Sequence, residues 1–303
     1  MNALKAVRKF FLAIALALLT FMTLLVFSTQ PFEPIKQLYV FGDSLSDVGT
    51  VFQSTGGLYP PNPPYFQGRY SNGEVWVEYL ANRLQLSPAQ TNNTAWGGAT
   101  TGSNGNHQSG NLSSSSLVPS LLTQVQSYVQ THQQAYSSTL FVLWAGANDY
   151  LQGENQVAIP VANLTQAITA LVNVGAKRIL VANLPDLGQL PATRTSPSSA
   201  SLTALTQAHN QGLRRSLKQL GQRYSDLQIA TLDANTLYRK AITNPPEFGF
   251  ANVTSGCLSG SRACDNPNQF LFWDSIHPTT AAHRILADQA FSALESGRLT
   301  ASP

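Results

Sequence analysis

Four short, mostly apolar runs constrain this chain more than any other feature. They lie at residues 37–42 (QLYVFG), 139–144 (TLFVLW), 178–184 (RILVANL) and 227–232 (LQIATL). Each is too short for a stable helix and three are bounded by Gly, Pro or Asp, so each reads as a strand. A strand with no polar face has to be covered on both sides, which is the condition of a parallel sheet. Longer stretches with helical spacing alternate with these runs. They fall at residues 74–84, where Val75, Tyr79 and Leu80 share a face with Leu84, and at 118–130, 161–174, 202–224 and 279–294. Pro119 suits a first helical turn and Gly175 a helix stop. The expected fold is therefore α/β, a mostly parallel sheet sandwiched between two helical layers. In such sheets function collects at the carboxyl ends of the strands.

Three segments read as loops. Residues 48–73 are rich in Gly, Pro, Tyr and Asn (YPPNPPYFQGRYSNG), 91–110 in Gly, Asn and Ser, and 244–268 hold both cysteines in irregular sequence. Residues 113–116 are four serines, expected at an exposed loop tip.

The first 28 residues differ from the rest. Lys5, Arg8 and Lys9 precede an apolar run, Phe10 to Phe27, broken only by Thr20 and Thr23. A basic start before an apolar stretch reads as a secretory signal, with Ser28 a usable cleavage site. The run is also barely long enough to span a bilayer, so an uncleaved N-terminal anchor is the alternative. Residues 29–303 are then expected to form one domain. Removing residues 1–28 takes away three cations and no anion, leaving 15 basic and 15 acidic residues. A chain without basic excess is a poor partner for nucleic acid. Cys257 and Cys264 are close in sequence, and in an exported protein they suit a local disulfide. No HExxH or paired CxxC occurs, and no histidine neighbours the two thiols, so a metal site is not expected.

Chemistry concentrates at the expected strand ends. The first strand runs into "FGDSLSDVG", which puts Ser44 directly after it. A serine hydroxyl attacks an ester only with a base beside it, and the base needs orienting. "FWDSIHPT" supplies both, since Asp274 can reach back to one nitrogen of His277 and leave the other for Ser44. Gly97-Gly98 and Asn148 offer hydrogen-bond donors to a developing oxyanion, together with the N–H of Ser44. Taken singly, each of these groups also reads as an ordinary turn or helix cap. The glycine that donates, Gly97 or Gly98, stays open at this level. Asp43 reads as a local organiser of the loop, and Asp47 as a cap for the following turn. No role in chemistry falls to His107, His132, His209 or His283; the last two lie in expected helices as surface or packed residues. The aromatics of the 49–70 loop (Phe52, Tyr59, Tyr65, Phe66) either line an acyl or alcohol pocket or pack as surface, and so do Phe248 and Phe250.

The blocks "FGDSLSDVG", "GRYSNGEVWVEYLA", "AWGGATTG", "AGANDY", "NLPDLGQLP" and "DSIHP" occur in this order. Their succession over residues 37–290 resembles the GDSL-type, or SGNH, serine esterases and lipases. That resemblance implies a flavodoxin-like three-layer fold and no metal or cofactor. It assigns Ser44 as nucleophile, Gly98 and Asn148 as oxyanion donors, His277 as base and Asp274 as its orienting acid. The implied activity is hydrolysis of carboxylic esters, lipid or short acyl, through an acyl-enzyme. An acyltransferase or a polysaccharide acetyl esterase would use the same residues. A non-catalytic module binding carbohydrate or lipid through the aromatic loop is the alternative from another class. The absence of G-x-S-x-G separates the chain from the α/β-hydrolase nucleophile elbow.

Overall fold

The computed structural model describes residues 34–102 and 118–300. The expected export segment, the serine patch and His107 lie outside the described residues. From Ile35 onward the described elements belong to one compact unit.

Five parallel strands make the main sheet: β1 (Gln37–Gly42), β2 (Thr91–Asn93), β3 (Thr139–Trp144), β4 (Arg178–Ala182) and β5 (Gln228–Leu232), in the order β2-β1-β3-β4-β5. β1 and β3 pair over six residues, from Gln37 opposite Thr139 to Gly42 opposite Trp144. The helices are α1 (Thr50–Ser54), α2 (Trp76–Arg83), α3 (Leu121–Thr131), α4 (Ala147–Leu151), α5 (Ala158–Asn173), α6 (Ser199–Arg223), α7 (Ala234–Thr243) and α8 (Thr280–Thr300).

Period-two alternation along the strands divides the core in two. Leu38 and Val40 of β1, Leu140 and Val142 of β3, and Leu180 of β4 face one way, onto Trp76 and Leu80 of α2, Leu237 of α7 and Leu286 of α8. Phe41, Phe141, Leu143, Ile179 and Val181 face the other way, onto Leu121 of α3, Leu164 and Ile168 of α5 and Leu213 of α6. At about 1.5–3 kcal/mol for each fully buried large apolar side chain, these two layers hold the sheet between them. The expected α/β sandwich is the observed architecture.

The chain lays β2 on one side of β1 and then crosses to place β3 on the other. That reversal opens a crevice at the carboxyl ends of β1 and β3, the place where doubly wound sheets bind ligands.

Differences from the sequence expectation are local and have local causes. α3 begins at Leu121 rather than near Val118, because Ser120 takes the N-cap and accepts from the N–H of Thr123 (3.2 Å). Pro119 therefore stands just outside the helix. β4 stops at Ala182, two residues before the expected end, ahead of Pro185. The 48–73 loop contains α1, and the 244–268 segment is not wholly irregular. β6 (Asn252–Gly256) within it pairs with β9 (Phe270–Phe272) just beyond it, and β7 (Leu258–Ser259) pairs with β8 (Arg262–Ala263). Three of these strands have only two or three residues and β6 reads NVTSG, so none leaves an apolar periodic trace in sequence. Cys257 and Cys264 are joined in a disulfide that closes this hairpin.

Candidate active site

β1 delivers Ser44 to the crevice, and the turn after it is built by two buried aspartates. The Asp43 carbonyl accepts from the N–H groups of Ser46 and Asp47, and its carboxylate accepts from Leu45 N (3.0 Å). Burial pushes the Asp43 carboxyl up to about 7. Asp47 caps α1, accepting from Gly49 N (2.8 Å) and Thr50 N (2.6 Å), and its second oxygen accepts from Gly97 N (2.9 Å). Asp43 and Asp47 thus do the organising work expected of them, and Asp47 also ties the Ser44 turn to the loop after β2.

The segment after β9 folds back on itself. Trp273 N donates to the carbonyl of His277 (2.7 Å), and Thr279 N to that of Leu271 (3.0 Å). Within this turn Asp274 Oδ1 accepts from Ile276 N (2.8 Å) and His277 N (2.7 Å). Its other oxygen, Oδ2, lies 2.7 Å from His277 Nδ1, and His277 Nε2 lies 2.8 Å from Ser44 Oγ. A carboxylate only accepts, so Nδ1 carries the ring proton and Nε2 is left to accept from the Ser44 hydroxyl. Burial would push the Asp274 carboxyl up, but the His277 charge and the hydrogen bonds from His277 and Ile276 outweigh it and hold it at about 2. Ser44 is 8% exposed, enough for contact from the crevice.

Three donors come from the segments that follow β1, β2 and β3. The N–H groups of Ser44 and Gly98 meet no acceptor among the described residues. Asn148 lies in the first turn of α4, just beyond the end of β3; its Nδ2 gives one hydrogen to the carbonyl of Ala99 (2.9 Å) and keeps the second. Gly97 differs from its neighbour, because its N–H is held by Asp47 and a Cβ there would sit 2.1 Å from Tyr70 Oη. Gly98 has φ +84°, a conformation that costs a glycine little, and open space around it. Asp149, next to Asn148, is buried and accepts from Thr101 N (2.9 Å) and Thr101 Oγ1 (2.6 Å), fixing α4 to the same loop. Burial raises its carboxyl to about 6.

The aromatic loop does something the sequence did not announce. Tyr65 Oη donates to Asp274 Oδ2 (2.8 Å), so this oxygen is shared between His277 and a phenol 209 residues away. The Tyr70 ring packs on that of His277 (centroids 5.1 Å apart), and Tyr65 meets Trp273 edge-on (6.4 Å). These residues back the Asp274–His277 pair. The only sequence signal was the density of aromatics between prolines, which fits pocket lining equally well. Tyr59 is exposed.

Beyond Ser44 the crevice narrows to an apolar cleft lined by Ala147, Leu151, Leu187, Leu190, Ile276 and Tyr238. A wider groove along α6 and β5, lined by Asn210, Arg214 and Lys218, contains none of the groups above. His209 and His283 are buried in helices, where they bond Tyr150 Oη and Trp76 N, and His132 stacks on Tyr128. Among the described residues no group of three His, Cys, Asp or Glu is placed to hold a metal ion. None of their helices is long and apolar enough to cross a membrane.

Comparison with known proteins agrees with this geometry. The family model described as GDSL-like Lipase/Acylhydrolase matches residues 38–290. The phosphatidylcholine-sterol acyltransferase of Aeromonas hydrophila is 29% identical, over 86% of this chain and 90% of its own length. The GDSL lipase of Tanacetum cinerariifolium is 27% identical, over 83% and 82%. The thermolabile hemolysin of Vibrio parahaemolyticus is 29% identical over 86% of this chain, which spans 64% of that longer protein. Among solved structures, a lipolytic G-D-S-L family member from Veillonella parvula superposes with a TM-score of 0.51 at 15% identity, over 86% of this chain and 98% of that one, a likeness of fold. With a parallel sheet of this order and a family match across nearly all of the described chain, the protein belongs to the GDSL-like lipase/acylhydrolase family, enzymes that act on ester bonds.

Proposed function

We propose that Ser44 is the nucleophile of an exported carboxylic ester hydrolase, working through an acyl-enzyme. The observation that carries the reading is the continuous hydrogen-bond chain Ser44 Oγ–His277–Asp274, set beside donors that have no acceptor of their own. His277 Nε2 takes the hydroxyl proton as Ser44 Oγ bonds to the ester carbonyl carbon. The oxyanion that forms is met by the N–H groups of Ser44 and Gly98 and by Asn148 Nδ2. Asp274, ionised at any working pH, stabilises the imidazolium. The imidazolium then gives its proton to the departing alkoxide as the C–O bond breaks. Water, deprotonated by His277, attacks the acyl-serine and releases the acid.

The same residues transfer the acyl group if an alcohol replaces water, and the similarity to an acyltransferase keeps that reading beside hydrolysis. Export rests on the basic and apolar character of residues 1–28, and the disulfide fits an oxidising compartment.

The test is hydrolysis of p-nitrophenyl esters from acetyl to palmitoyl by the protein and by Ser44→Ala. Loss of several orders of magnitude in a folded Ser44→Ala protein is expected. Equal rates in the two would remove Ser44 from the chemistry. Adding a soluble alcohol and measuring the ratio of ester to acid formed separates transfer from hydrolysis. Mass determination of the protein recovered from the medium reads cleavage after Ser28.

A further inference from the structure

The apolar cleft beside Ser44 ends on Tyr238, and the same side chain forms a wall of a second apolar recess. On the Ser44 side Tyr238 stands with Leu151, Leu187, Leu190 and Ile276. On its far side lie Phe248, Phe250, Leu271, Ile285 and Leu286. Tyr238 projects from α7, is 4% exposed, and packs its ring against Phe272 with centroids 6.0 Å apart. The free space on the Ser44 side is only about 20 Å³, on the scale of one water molecule.

We infer that this cleft is the acyl subsite, that Tyr238 is its stop, and that the stop restricts the enzyme to short acyl groups. The inference rests on the reading of Ser44 as nucleophile. A narrow recess beside Ser44 suits the part of the substrate that stays bonded to Ser44 Oγ, whereas the alcohol has to leave, taking its proton from His277. Away from Asp43, Ser44, Asn148 and His277 the lining side chains are mostly hydrocarbon, so they add affinity for methylenes. Beyond the stop the chain has already placed another apolar lining, so removing the ring joins two hydrophobic spaces rather than exposing polar groups.

The magnitude follows from burial: each added methylene that leaves water is worth about fourfold in kcat/KM while room remains, and nothing after that. Wild-type kcat/KM for p-nitrophenyl esters is expected to peak by about four acyl carbons and to fall for longer chains. In Tyr238→Ala the ratio of octanoyl to acetyl kcat/KM rises at least tenfold, while Tyr238→Phe, which keeps the ring, preserves the wild-type ratio. A parallel series with the acyl group fixed as acetyl and the alcohol varied is unchanged in profile. Where Tyr238→Ala does not fold, Tyr238→Leu is compared in the same way. Inactivation of the wild-type protein by alkyl fluorophosphonates of increasing chain length reads the stop without any variant, the rate falling beyond the same length. An unchanged octanoyl-to-acetyl ratio in a folded variant overturns the inference, as does a shift confined to the alcohol series or a wild-type preference for long acyl chains. These failures leave the nucleophile untouched, whereas absence of all hydrolysis by wild-type protein, or its survival in Ser44→Ala, refutes the underlying reading.

Discussion

Replacing Tyr65 with phenylalanine removes one hydrogen bond and little else. The phenol donates to Asp274 Oδ2, the oxygen that also receives His277 Nδ1–H. Burial, and then the Asp274 charge, hold the Tyr65 hydroxyl well above its ordinary pKa, so it remains a donor across the working range. The phenylalanine ring keeps the edge contacts with Trp273 and Tyr70, and Asp274 Oδ1 keeps both backbone donors. A hydrogen bond to a charged group is worth about 1.5–3 kcal/mol. Without it the charge on Oδ2 is answered by His277 alone, which favours the imidazolium. If about half of a 2 kcal/mol bond is felt there, the balance moves toward the imidazolium by about 1 kcal/mol. His277 acts as a base only when neutral, so the acidic limb of kcat/KM moves to higher pH. The other groups facing this ring, Asp43, Tyr70 and His283, are the same in both proteins and cancel in the comparison. The assay is kcat/KM for p-nitrophenyl acetate from pH 5 to 9, with thermal melts to establish folding. Tyr65→Phe is expected to lose several-fold at pH 6 and to approach wild-type rates at pH 9. A limb at the wild-type position, or an equal loss at every pH, would refute the argument that Tyr65 acts through Asp274.

Asn148→Ala, in a protein that still melts cooperatively, is expected to lower kcat by about 10²–10³, the usual loss for one oxyanion donor; an unchanged kcat would take Asn148 out of the site. Reducing the Cys257–Cys264 bond opens a short loop and should cost roughly 2–3 kcal/mol in urea unfolding. Because Cys257 N and Leu258 N still donate to the carbonyls of Phe272 and Trp273, ester hydrolysis by the reduced folded protein should persist. His209 and His283 are held neutral by burial, at about 4 and about 3. Their folded pKa values lie below the unfolded one, so each contributes stability that is lost as pH drops below about 6.5, while Asp43 and Asp149, raised by burial, act in the opposite direction. At pH 5 each contributes about 2 kcal/mol of loss relative to pH 8. Urea midpoints at the two pH values for wild type and His283→Gln check this, the pH 5 minus pH 8 difference being about 2 kcal/mol more favourable in the variant.

β1, β3 and β4 were legible because they are largely buried on both faces, so composition marked them as core strands, whereas β2 is a three-residue, partly exposed edge strand inside a stretch that reads as a loop. The grouping of Ser44, Asp274 and His277 was legible because the serine follows a strand and the other two share one short turn. What stayed hidden depends on distance along the chain. Nothing local to Tyr65 marks it as a partner of Asp274, and nothing local to Tyr238 marks it as the end of a cleft opened by residues from four other segments. The choice between Gly97 and Gly98 was hidden for a different reason, since two identical residues are told apart by their surroundings alone: Asp47 takes the N–H of Gly97 and Tyr70 packs on it, while Gly98 is left open.

That last difference explains why buried carboxylates surround the crevice at all. Asp47 bridges the Ser44 turn to Gly97, and Asp149 bridges α4 to Thr101 four residues further on. Burial raises the pKa of both, so each is costly to keep in place. The return is rigidity. By holding the N–H of Gly97, Asp47 fixes the peptide that turns Gly98 outward; by holding Thr101, Asp149 fixes the loop whose Ala99 carbonyl orients the Asn148 amide. Donors aimed in advance at a charge that does not yet exist need no rearrangement when it forms, which is where such a site obtains most of its rate. Substituting either aspartate should therefore loosen the donors before it touches the Ser44–His277 bond.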